Sequence, residues 1–305
     1  MRAHLNLKWF IGVLLISLSP IVLGQEKSDA NLSDQLHEEY KANGIDQSLK
    51  MYEKLNADKN YNGFQEPLNI FGYTLMLEDQ DLDAAKQVFE AQIKEYSDQA
   101  NPYDSYADLL LEMGNKEEAK TNLLKSIALT ENSEEDLDVE IFRASKTKLA
   151  KIENKHKKFE FMQGDYNVAV SNYKDDKIIN ENTFRSSSSY DESGNILTVN
   201  YYNLGNTPVG KRIVVYDALE DTYDMAFINP TDPFGINISH MKVKDLGNNK
   251  VELMESYVDR KGESHNVRHE VMKNSNNSIE WVVFQQEDGS DKWEKATVQN
   301  YNKSE

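Results

Sequence analysis

The hydrophobic period of this chain changes once, at a short basic run. Before it, apolar residues recur every three or four positions, as in Leu32, Leu36 and Tyr40, then Ala85, Phe89 and Ile93, then Leu137, Ile141 and Leu149. After Lys155, His156, Lys157 and Lys158 they recur every second position, as in Leu197, Val199 and Tyr201, or Ile279, Trp281 and Val283. A period near 3.6 marks one face of a helix, and a period of two marks one face of a strand. The switch predicts an α+β chain of two segregated domains, helical over 32–153 and antiparallel β over 159–302. With 305 residues the chain is long enough to give each domain its own core.

The helical half carries a repeat. Ala85 and Ala119 lie 34 residues apart, as do Phe89 and Leu123, and Ile93 and Ile127. In the stretch 101–134, Tyr103, Tyr106, Ala107, Leu110, Gly114, Ala119, Leu123 and Ser126 follow the order large, large, small, large, Gly, Ala, large, small. This resembles the tetratricopeptide repeat, a helical hairpin that buries its apolar face by stacking on the next one. The unit before it is one residue too long between Gly72 and Ala85, and the unit over 31–57 is degenerate. The reading places Gly114 and Ala119 where a side chain would push helices apart. A last helix, opened by Ser133, is too charged on its outer side to be a repeat and reads as a cap. The segment from Asn69 to Leu129 resembles helical tails on exported hydrolases of Bacteroidetes-type bacteria, where the tail is an accessory.

In the second half, turn signals at Gly194, Gly247–Asn248, Gly262 and Gly289 separate about ten strands, the rhythm of an up-and-down antiparallel barrel. Its opening, Phe159 to Val168 with Gly164 and Tyr166, resembles the first strand of lipocalin-like barrels, with Tyr166 where they carry Trp. The strand of Trp293 resembles the closing strand of a bacterial lipocalin-like group, although no Arg follows Trp293 to cover it. The resemblance spans 159–302 and implies that Tyr166 plugs the closed end of a barrel, a structural role.

Composition narrows the function. A net charge of −18 is the wrong sign for nucleic-acid binding. The absence of cysteine removes disulfides, zinc–thiolate sites and cysteine nucleophiles. Residues 1–24 read as a signal peptide, with Arg2 and Lys8 before an apolar run broken by Pro20, and with Val22 and Gly24 at the cleavage site. The run is too short for stable membrane insertion. The expectation is export to the periplasm or beyond after cleavage near Gly24, with 25–31 disordered.

No motif for catalysis stands out. His265 and His269 face one way on a strand but are roughly 13 Å apart along it, too far to share a metal. Ser186 to Ser189 have no nucleophile elbow around them and read as a solvated stretch. Barrels of the nitrobindin type hold haem through a histidine, but nothing flanking His240 or His269 assigns that role, and no cofactor or metal is expected. On the helices, Asp104, Asp108, Leu111 and Glu112, with Glu66, Asn69, Tyr73 and Met76 of the unit before, read as an acidic groove for a protein or basic peptide, or as a solvated face. Alternatively, Lys155, Lys157 and Lys158 meet the acidic helices. In the barrel, Val168, Tyr201, Met225, Phe227, His240 and Trp281 read as inward residues, around either a small apolar ligand or a solid core. The leading expectation is an exported, non-catalytic binding protein, its barrel holding a small apolar molecule and its repeats contacting a protein. The alternatives are an interaction scaffold with a solid barrel and an enzyme of unknown type.

Overall fold

The computed structural model describes residues 23–304, apart from 57–62, 65, 231–235, 248–249, 259–263 and 287–289. The expected leader therefore lies almost wholly outside the described residues. The chain divides into two compact units, Met1–Leu149 and Ala150–Glu305.

The first unit is helical: α1 (Leu23–Asn43), α2 (Ile45–Leu55), α3 (Pro67–Thr74), α4 (Leu82–Glu95), α5 (Asn101–Glu112) and α6 (Lys116–Thr130), with α7 (Asp136–Ile152) running to the second unit. The backbone of α1 takes in 25–31, which the sequence reading leaves disordered; that stretch holds no Gly or Pro to stop a helix. Glycine ends α1, where Gly44 has φ +85. Pro67 opens α3, with Glu66 as its N-cap. Successive helices form antiparallel hairpins, α3 with α4 and α5 with α6. Ala85, Phe89, Ala119 and Leu123 are fully buried between them. A methyl at Gly72 would stand 2.6 Å from the Phe89 ring, so glycine lets the two helices close. The one-residue excess between Gly72 and Ala85 has a physical home. After α3 the chain makes a π-helical turn, Leu75–Asp79, closed by Asp81 N–H on the Leu75 carbonyl at 3.0 Å. A wider turn absorbs one residue without breaking the helix direction. Gly114 needs a different account from the expected one. Nothing lies within 4 Å of a methyl built there, and its φ is +81. It serves the left-handed turn between α5 and α6, not the helix packing.

The second unit is a closed antiparallel barrel of ten strands: β1 (Gly164–Lys174), β2 (Lys177–Tyr190), β3 (Ile196–Tyr202), β4 (Pro208–Asp217), β5 (Thr222–Ile228), β6 (Ile236–Gly247), β7 (Lys250–Val258), β8 (Ser264–Lys273), β9 (Ile279–Gln286) and β10 (Trp293–Lys303). Every strand pairs with its sequence neighbours, and β1 pairs with β10, so no edge is left open. Cross-strand partners such as Val199 with Arg212, and Arg212 with Phe227, fix which residues share a face. The inner face carries Val168, Leu197, Tyr201, Val214, Tyr223, Met225, Leu253, Val271 and Trp281, all buried.

One end of the barrel is stoppered by the segment that precedes β1. Phe159 and Met162 are buried there. The Phe159 ring lies 6.4 Å from Trp281 in a stacked arrangement and 5.2 Å from Tyr223 edge-on. Tyr166 is buried beside it and donates its hydroxyl to the Phe161 and Gln163 carbonyls at 3.3 and 3.2 Å. The preceding basic run is tied down by the barrel's own carboxylates. Lys155 Nζ bonds Asp221 at 2.8 Å, and Lys158 bonds Asp245. On the outer face an arginine does cover Trp293, but from a different strand: the Arg268 guanidinium sits 5.0 Å from that ring and 4.5 Å from Phe284.

Candidate functional site

Of the six residues read as inward, Val168 is buried on β1, and four of the other five meet inside the barrel. Tyr201 and Phe227 lie edge to face at 6.0 Å, Met225 is buried one step along β5 from Phe227, and Trp281 is buried on β9 over the Phe159 stopper. Phe227 is 38% exposed. It lies at the end of β5 opposite Tyr223, and so at the end of the barrel away from the stopper. The fifth, His240, is on the outside. Its cross-strand partner is Asp224, their side chains bond at 2.7 Å, and the imidazole is 68% exposed. The inward residues of β6 are the odd-numbered ones, including Met241, because Tyr223 pairs with Met241.

The interior also holds charges that the apolar reading passed over. Arg212, on β4, points inward among three rings, with its guanidinium 4.7 Å from Trp281, 5.8 Å from Tyr201 and 6.0 Å from Phe227. Burial works against its charge, but Tyr201, Tyr301 and Glu255 hold its pKa above the ordinary value. The Tyr301 hydroxyl donates to Gln299 Oε1 at 2.7 Å and stands 3.3 Å from the Tyr201 hydroxyl. Trp281 donates its indole N–H to His269 Nδ1 at 3.0 Å, and His269 Nε2 stands 3.3 Å from Glu255 Oε1. Burial alone would raise the Glu255 pKa; hydrogen bonds from His269 and Ser239, with Arg212 nearby, outweigh it and hold the carboxyl below its usual range.

The serine run is not simply solvated. It lies on β2, where Ser186 and Ser188 face inward and are buried. Ser188 donates to the Met162 carbonyl of the stopper. Among the described residues, two polar atoms of the barrel interior are shielded from water and have no hydrogen-bond partner, Arg212 Nη1 and Ser186 Oγ. Ser186 is the cross-strand neighbour of Tyr201, whose ring borders Arg212.

The helical residues expected to form an acidic groove are instead engaged within their own unit. Asp104 is 3% exposed; its two oxygens take Ser145 Oγ at 2.6 Å and Lys148 Nζ at 2.8 Å, both from α7. Lys148 also reaches Asp108 at 2.7 Å, and Tyr73 donates its hydroxyl to Asp108 at 2.7 Å. Burial, with Asp104 as a like charge, raises the Asp108 pKa against the opposing pull of Lys148. Asn69 is buried and accepts from Ser105 at 2.7 Å, and Met76 is buried. Of the expected contact residues Glu112 alone is exposed. The countercharge to this acidic pair comes from α7, 40 residues beyond Asp108.

Among the described residues no group of three or more His, Asp or Glu side chains is placed to hold a metal ion, and no helix is long and apolar enough to cross a membrane. No protein-family model matches this chain, and no curated protein matches it significantly in sequence.

Proposed function

We propose that the barrel is a non-catalytic binding module for a small, mostly apolar molecule, in a lipocalin-like manner, and that the tetratricopeptide-like helices are its accessory scaffold. On the same reading the protein is exported behind its N-terminal leader. The observation that carries the proposal is the mixed lining above Trp281. Eight strands already give an interior that side chains just fill or that holds one small ligand, and ten give more room. A barrel built only to be solid has no use for an arginine, a glutamate and a histidine among its rings; a ligand pocket has apolar walls with a few convergent polar groups. Any acid–base role would need a substrate held against Glu255 or His269, and both are occupied with each other and with Trp281.

The test is a titration of the full chain with two fluorescent probes, neutral N-phenyl-1-naphthylamine and anionic cis-parinarate. Saturable one-to-one binding of either, with energy transfer or quenching at Trp281 that Trp281→Phe removes, supports the reading. The absence of saturable binding by both overturns it in favour of a solid barrel.

A further inference from the structure

We infer that the ligand of this barrel is a monoanion, a single carboxylate on an apolar body, and that its charged end is seated on Arg212. This rests on the binding reading above and deepens it. The argument starts from what a guanidinium demands. It carries five N–H donors and stays charged. Inside this barrel its faces meet rings, and Nη1 is sealed from solvent with no partner. A buried donor without an acceptor costs about 1–3 kcal/mol, more where it is charged, so an acceptor brought by a ligand binds with that advantage. Glu255 does not fill the role: its Oε1 faces His269 Nε2 at 3.3 Å, and it acts on Arg212 only through space.

The same geometry limits the ligand's charge and shape. One cation with a carboxylate already nearby suits a single negative charge, not a phosphate dianion. Ser186 Oγ, the second unpartnered interior donor, stands on the strand beside Tyr201 and offers a hydroxyl to the same oxygen-rich end. Away from the stopper the wall is Tyr201 and Phe227, edge to face at 6.0 Å, with Phe227 partly exposed. These rings give that end an apolar wall, so the body of the ligand is assigned toward the unstoppered end, with its carboxylate on Arg212. Long-range attraction plays no part, because a chain of net charge −18 repels anions; a preference for an anion must come from a local cation.

The experiment compares cis-parinarate with its methyl ester at pH 7.5 on the full chain. The two share one hydrocarbon body and differ by one charge. The wild type is expected to bind the acid at least about tenfold more tightly than the ester, the size of one charge-assisted hydrogen bond. Arg212→Gln should weaken the acid alone and bring the two affinities within about twofold of each other. Arg212→Lys, which keeps the charge, should keep a preference for the acid. If Arg212→Gln loses its cooperative melting transition, the wild-type comparison and Arg212→Lys decide. Equal affinities in the wild type, or an acid preference that survives in Arg212→Gln, would overturn the anion inference while leaving a barrel that binds neutral molecules. Failure of acid and ester while N-phenyl-1-naphthylamine binds would also overturn the anion inference, whereas failure of all three would remove the binding reading itself.

Discussion

The indole N–H of Trp281 donates to His269 Nδ1 at 3.0 Å, and this contact determines the state of the imidazole. Indole nitrogen is only ever a donor, so Nδ1 must be an acceptor and the proton of a neutral ring must sit on Nε2. From there it points at Glu255 Oε1, 3.3 Å away. The chain of contacts crosses β9, β8 and β7 and satisfies the polar edge of the barrel's largest buried side chain.

His269→Leu should therefore destabilise the barrel. It strands the Trp281 N–H and removes a donor from Glu255, at a cost of roughly 1–3 kcal/mol for each buried group left unsatisfied. His269→Gln has an acceptor and a donor at its tip and should recover part of the loss. Urea unfolding followed by tryptophan emission measures it. A His269→Leu midpoint equal to wild type would mean that the contact is not made in solution.

Lys148 is the hinge of a second network. It faces Asp104 at 2.8 Å and Asp108 at 2.7 Å, and Tyr73 donates to Asp108 Oδ2 as well. Replacing it with an apolar residue leaves two carboxylates without their cation. Lys148→Met should cost about 3–5 kcal/mol in the stability of the helical unit, the usual price of breaking a buried pair from one side. Adding Asp104→Asn to it should return part of that loss, since one stranded charge is removed. Circular dichroism at the helical band, read through a urea melt, separates the single from the double variant. If both melt like wild type, the cluster is solvated.

Much of this architecture was legible in periodicity, and the misreadings share a cause. The change of period at Lys155–Lys158 and the strand-by-strand rhythm need only local sequence. Which face of a strand turns inward does not always follow from it. On β4, Ile213, Val214, Val215 and Tyr216 are apolar on both faces. Alternation alone groups Ile213 with Val215, yet pairing with β3 and β5 turns Arg212, Val214 and Tyr216 inward. The same ambiguity accounts for His240, read as inward on β6, where Ile236 and Ile238 of the same face are 59% and 58% exposed. Arg212 was missed because a rule that searches for alternating apolar residues discards a charge on the apolar face. The interruption was itself the signal. Asp104 and Asp108 look like a solvent-facing acidic pair until Lys148 arrives from a distant helix, which no local pattern reveals.

Ala119 and Gly114 separate two uses of a small residue. Ala119 is fully buried between helices, so Ala119→Leu forces overpacking and should cost roughly 1–3 kcal/mol. Gly114→Ala meets no atom within 4 Å but must hold φ at +81, so its cost should be about 1 kcal/mol, from the backbone alone. Thermal melts of the two variants should therefore differ in size. An Ala119→Leu variant as stable as wild type would show that the alanine does not lie in a packed seam.

Glu66 gives the helical unit a pH dependence of unusual sign. Its carboxylate caps α3, accepting from the amides of Leu68 at 2.9 Å and Asn69 at 2.8 Å and from Gln92 Nε2 at 2.8 Å. Those bonds favour the charged form, but burial outweighs them and pushes the pKa from 4.5 up to about 7. The folded state then holds a proton that the unfolded state has released anywhere between those two values. Stability from this group is therefore fully present below about pH 4.5, declines as pH rises through the window, and is flat above about pH 7. At about 1.4 kcal/mol per unit of pH, the decline reaches roughly 3 kcal/mol at most. Asp108, also raised, adds a slope of the same sign, so the informative quantity is the difference between wild type and Glu66→Gln. Urea melts of both at pH 5.5 and pH 7.5, read at the helical band, should show the wild type losing more stability with rising pH than the variant. A difference between the two proteins that stays constant from pH 5.5 to 7.5 would show that Glu66 is ionised in the folded protein throughout, held by its three amide donors.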